Sequence, residues 1–261
     1  MKKTNGFILT AIIFTLLVPV STFAASAGNA TLGGVNGYLV IPSAEPVYSG
    51  TDTTVATGYS AIVSSGTFAN IPYFQMGFSG NYEVGIATDI ADTTDILINA
   101  KWRFSKSGNT SMALGTVAQI LDVGSNTTFA DQIYFATTFN STFIDWPSKT
   151  TILAGYTFDN SLNSDINFGM AFETPFFKDT FKEKVNFLID FGNVSYSTKP
   201  NGGNAENRGM VNVGLRLVPV QFLKSVYVSA DLRALDLFDD SGRALSAAVA
   251  ISFRPSNSIV N

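Results

Sequence analysis

The sequence predicts an all-β fold, a transmembrane antiparallel β-barrel of about 12 strands behind a cleaved N-terminal signal peptide. Three observations predict it. From about Thr54 to Phe253, apolar and polar residues alternate one by one in stretches of roughly ten, the length of a tilted strand crossing a bilayer. Past the leader, no apolar run is long enough for a membrane helix, yet mean hydropathy is +0.21 with only 14% charged residues. Apolar residues spread at every second position belong to a barrel, whereas helical membrane proteins gather them in blocks. Phe is also abundant, at 22 of 261 residues, which suits lipid-facing walls and interfacial girdles better than a small soluble core.

The elements follow in chain order. Met1-Lys2-Lys3 is a positive start, Phe7 to Val18 is apolar, and Ser21 to Ala25 supplies small residues for cleavage near Ala24 or Ala25. Residues 1–25 therefore read as a signal peptide. Residues 26–52 are a periplasmic or lumen-inserted segment, apolar without clean alternation and broken by Pro42 and Pro46. Residues 53–254 form the barrel, and 255–261 a polar tail.

Alternation is plainest in Asp95 to Phe104. Ile96, Ile98, Ala100, Trp102 and Phe104 fall on one face, and Asp95, Leu97, Asn99, Lys101 and Arg103 on the other. Three strands precede it. The first, near Thr54–Ala61, turns Val55, Thr57, Tyr59 and Ala61 outward. The second, Tyr73–Ser79, turns Phe74, Met76 and Phe78 outward. After a tight Gly80-Asn81 turn, the third points Tyr82, Val84 and Ile86 outward and Glu83, Gly85, Ala87 and Asp89 inward. Eight further strands repeat the pattern, with outward residues starting at Met112, Ile133, Ile152, Ile166, Val185, Val211, Val226 and Leu245. An even strand number places both ends of the barrel on the periplasmic side. Gly80-Asn81 and Lys106 to Asn109 are then periplasmic turns, and Asp122–Ala130 and Val194–Asn207 are loops of the opposite rim.

Charges on the lipid face would each cost a few kcal/mol near the midplane, so the register sends them inward. The candidate pore-lining set is Glu83, Asp89, Asp95, Asn99, Lys101, Arg103, Asp165, Glu173, Asp190, Arg216, Asp231 and Arg233, with Lys184 and Arg254 also facing in. Lys101 and Arg103 share a strand and a face and form a basic rung opposed by Glu83, Asp89 and Asp95. Such a mixed-charge lining selects ions or polar solutes at a constriction, or closes the lumen with salt bridges. Eight strands leave a filled interior and sixteen a water channel, so twelve leaves both open.

Composition excludes several classes. There is no Cys and no His. Disulfides, thiolate catalysis, lipidation of an N-terminal Cys and His-based triads are therefore unavailable. A net charge of −4 gives no footprint for nucleic acid. No cofactor is implied.

Gly37-Tyr38-Leu39-Val40-Ile41-Pro42-Ser43-Ala44 resembles the opening of YjbH-like outer-membrane proteins, where a Gly-hydrophobic stretch leads into Pro-Ser/Thr-Ala before the barrel. Looser similarity lies in Asn81 to Gly85 and Gly214 to Arg216. The resemblance implies an outer-membrane barrel linked to export or assembly of surface polysaccharide. Family members are often much longer than this chain.

From the residues themselves, the expected function is a narrow passive or gated pore for small polar solutes or ions, without chemistry on the solute. The alternative is a non-conducting barrel for surface polysaccharide export or envelope structure, closed by Gly33–Pro46. A membrane hydrolase is the weakest of the membrane readings. A secreted β-sandwich would have to hide the charged face in its core. Expected partners are outer-membrane lipid, the barrel-assembly machinery, and small polar solutes or polysaccharide. Many such barrels end on an aromatic residue; here Phe253 is followed by the tail.

Overall fold

A computed structural model describes residues 30–48, 50, 52–64, 66–159, 163–194, 209–239 and 242–254, with residues 159 and 163–165 described through their backbone alone. The expected signal peptide, the polar tail and most of the Val194–Asn207 loop lie outside these residues.

Twelve antiparallel strands close a barrel. They are β1 (Thr54–Ser64), β2 (Thr67–Phe78), β3 (Tyr82–Ile90), β4 (Thr94–Ser107), β5 (Thr110–Leu121), β6 (Thr128–Phe143), β7 (Trp146–Asp159), β8 (Asn163–Pro175), β9 (Val185–Gly192), β10 (Met210–Leu223), β11 (Val226–Leu235) and β12 (Ala244–Phe253). Every neighbour in space is a neighbour in sequence except at the seam, where β1 pairs with β12 from Val55↔Phe253 to Ser64↔Ala244. Closure leaves no sheet edge, which is the condition for a β-structure to cross a bilayer.

The alternation sets the register of the wall. In β3, Tyr82, Val84 and Ile86 are exposed while Glu83, Ala87 and Asp89 are buried. In β4, Ile98, Trp102 and Phe104 are exposed while Asn99, Lys101 and Arg103 are buried. This inverts a soluble protein, whose large apolar residues hide and whose charges face water. The core is the lumen, and the apolar outer belt is shaped for lipid.

Strands run longer than the sequence suggests, because hydrogen bonding continues past the apolar belt. β2 begins at Thr67 rather than Tyr73 and contains Pro72, which cannot donate to the ladder. The β6–β7 hairpin turns on two residues, Ile144 and Asp145, both left-handed at φ 49° and 63°. A short helix α1 (Lys178–Phe181) fills the β8–β9 connection. Lys184 lies in that connection and is exposed, not inward, because β9 starts one residue later.

Residues 30–47 run inside the barrel. Their apolar side chains, including Leu32, Leu39 and Ile41, are buried among inward residues of the wall. The segment makes no strand with the wall, only isolated bridges within itself at Ala30↔Asn36 and Gly37↔Pro42.

Candidate functional site

The site is the lumen and the segment that fills it. A chain buried without a sheet partner must find other partners for its amides and carbonyls. Here the segment's own turns supply some, such as Tyr38 N–H to Ile41 O at 2.9 Å, and wall side chains supply others. Asp190 Oδ2 accepts the N–H groups of Leu39, Val40 and Ile41 at 2.9, 2.7 and 3.1 Å. Successive N–H groups converging on one anion form a nest, with the protein's own carboxylate as the anion. Asn212 Nδ2 donates to the other oxygen, Oδ1, at 2.7 Å.

Glu83 repeats the arrangement from the opposite wall. Its two carboxylate oxygens accept Asn36 N–H and Val47 N–H, each at 2.7 Å. Lys101 Nζ stands 3.1 Å from Glu83 Oε2 and donates to the carbonyl of Asn36, also at 3.1 Å. Both side chains are fully buried. Asn36 in turn closes the segment on itself, donating from Nδ2 to the carbonyl of Glu45 at 2.9 Å.

Cations take the carbonyls. Arg216 donates to Gly37 O at 2.8 Å and Tyr38 O at 3.0 Å. It also forms a two-pronged pair with Asp231, Nε to Oδ1 at 3.0 Å and Nη2 to Oδ2 at 2.9 Å. Arg233 shares Asp231 Oδ2 at 2.7 Å and reaches Ala30 O at 2.9 Å. Amide side chains finish the set, with Gln75 and Asn99 donating to Gly34 O at 2.9 and 3.0 Å.

Close packing complements these grips. A Cβ on Gly169 would stand 2.7 Å from Ile41 Cδ1, and one on Gly214 would stand 2.8 Å from Leu39 Cδ2. The wall has no side chain where the segment has a large one.

Near the rim where the barrel's chain ends lie, Glu45 Oε2 meets Lys149 Nζ at 3.0 Å, and Asn140 donates to Glu45 Oε1 at 3.3 Å. Burial pushes the Glu45 carboxyl up, but Lys149 outweighs it and holds the group below the usual carboxylate range. Arg254 lies over the rings of Tyr227 and Tyr48, at 4.3 and 5.8 Å, where the segment joins the wall.

Of the residues singled out in the sequence, Glu83, Asn99, Lys101, Asp190, Arg216 and Arg233 touch the segment directly, and Asp231 holds the two arginines. Lys101 and Arg103 do not act as one rung. Arg103 faces the β2–β3 turn, donating to Gly80 O at 2.5 Å and Asn81 Oδ1 at 3.1 Å. Asp95 accepts the N–H of Asp122 at 2.8 Å, and Asp89 lies opposite it in the β3–β4 register. Glu173 accepts from Asn186 Nδ2 at 2.6 Å. Asp165 sits opposite Thr157 in β8, with its side chain outside the described residues. The pattern reading missed Gln75, Thr138 and Lys149. Each lies on the inward phase of its strand: Gln75 and Thr138 fall within stretches whose alternation is already plain, and Lys149 lies a few residues before Ile152 on that inward phase.

The barrel is similar to two solved porins. It aligns with the NanC porin at TM-score 0.51 and 10% identity, covering 77% of this chain and 99% of that one. With the KdgM porin the TM-score is 0.51 and the identity 9%, covering 76% and 98%. The fold is a closed antiparallel β-barrel like that of these porins. No family model matches the sequence. No curated protein matches it either.

Proposed function

We propose that the protein is a narrow gated pore of the outer membrane for small polar solutes or ions, closed in the described state by residues 30–47. The carrying observation is the chemistry of the contact between segment and wall. A permanently filled lumen is most stable when packed with apolar side chains, since buried ion pairs seldom repay their desolvation. Here the wall presents Glu83, Lys101, Asp190, Arg216, Asp231 and Arg233, which water can solvate once the segment withdraws. The apolar belt supports a lipid environment, and the fold supports assembly by the machinery that inserts outer-membrane barrels.

A second reading has its own observation. Asp190 alone engages three consecutive amides, a grip suited to a fixed part. The likeness of Gly37–Ala44 to YjbH-like proteins also supports a non-conducting barrel serving surface polysaccharide export.

Single-channel recording from planar bilayers separates the two. Leu39→Ser with Ile41→Ser should raise current by loosening the segment. Ala44→Cys with Thr138→Cys, bridged by a short thiol reagent, should abolish it; the Ala44 N–H lies 2.9 Å from Thr138 Oγ1. Silence from every inserted variant would remove the pore reading and leave the non-conducting one.

A further inference from the structure

We propose that the lumen is a binding site for peptide backbones folded into tight turns, with residues 30–47 as its tethered occupant. Taken with the gated-pore reading, on which the identity of the solute rests, the site selects peptides.

The wall grips the segment chiefly by its backbone. Its charged groups reach main-chain atoms. Asp190 and Glu83 take amides, whereas Lys101, Arg216 and Arg233 take carbonyls. Carboxylates only accept and guanidinium groups only donate, so the array fits a ligand whose donors and acceptors alternate along a chain. A peptide is such a ligand. A sugar hydroxyl, which donates and accepts at one atom, does not call for the separation. Among the described residues, polar side chains of the segment meet the wall's side chains at few points, Tyr38 with Thr151 at 2.9 Å and Glu45 with Lys149 and Asn140. Its large side chains rest over Gly169 and Gly214, which are holes without chemical preference beyond apolarity. Recognition is thus through the backbone, with turned amides converging on carboxylates as in an anion nest and apolar side chains filling the holes.

The test uses a fluorescent peptide of residues 30–47, a scrambled peptide of the same composition, and a linear oligosaccharide of similar mass. The receptor is the barrel lacking residues 30–47, in detergent. The full chain with Leu39→Ser and Ile41→Ser is the second receptor, should the deletion fail to fold. Both peptides are expected to bind, to resist competition by the sugar, and to weaken about tenfold or more when Asp190→Asn is added. Binding of the native sequence alone would overturn the proposal, because the site would then read side chains. Failure of both peptides on a folded receptor would also overturn it. Bilayer current distinguishes this inference from its parent reading. Current without peptide binding keeps the pore and removes the peptide site. Peptide binding with silent bilayers keeps the site and removes the pore.

Discussion

Asp190 shows how a single residue can hold a segment in place. Its four hydrogen-bond partners among the described residues are neutral donors, three of them consecutive amides. A hydrogen bond to a charged group contributes about 1.5–3 kcal/mol, so Asp190→Asn should weaken docking of the segment by at least about that amount. The chain has no Cys, so Ser43→Cys provides a unique thiol, and its labelling rate should rise when Asp190→Asn is combined with it. Packing makes a separate claim. Gly169→Ala places a methyl 2.7 Å from Ile41 Cδ1 and should cost about 1–3 kcal/mol by overpacking. Ile41→Val removes that δ-carbon, so a double-mutant cycle should show the two changes compensating. Labelling rates that add independently would place Ile41 elsewhere.

At the scale of elements, the wall and its occupant differ in how far they could be read. The strands were legible because lipid and lumen demand opposite chemistry of residues one position apart, as Ile98 and Asn99 show. The segment has no such period. Its partners lie far away in sequence, with Ala30 held by Arg233 and Gly37 by Arg216, so no local pattern reveals them. The sequence shows there an apolar stretch without clean alternation, broken by Pro42 and Pro46, which fits a lumen-inserted segment and a plain linker equally well. The Glu45–Lys149 contact makes this element pH-sensitive. Glu45 is depressed, so its contribution to docking is fully present above the ordinary carboxylate value and is lost as pH falls through the depressed one. Thiol labelling at Ser43→Cys should therefore accelerate in acid, and Glu45→Gln should flatten that profile. The β6–β7 turn offers a test away from the lumen. Ile144 and Asp145 occupy left-handed backbone that Asn-Gly adopts far more easily. Ile144→Asn with Asp145→Gly should stabilise the barrel by about 1 kcal/mol or more, read as a higher denaturant midpoint.

For the whole molecule, the twelve strands fix a diameter between a solid barrel and an open channel, and residues 30–47 decide which of the two it is. On the proposed pore reading, current and its selectivity are thus properties of the occupant as much as of the wall. In a loosened variant, Lys101→Glu should shift selectivity toward cations, because it replaces the ammonium facing Glu83 with a second carboxylate. An unchanged reversal potential in a salt gradient would place the conducting path away from these groups.

The seam between β1 and β12 has a consequence for manufacture. The first strand cannot meet the last until the whole chain has been delivered, whereas the occupant precedes both. Closing long-range pairs is the slow step of β-assembly. Grips on the segment sit on β9, β10 and β11, so seating the contents of this cask and fitting its last stave both await the final quarter of the chain.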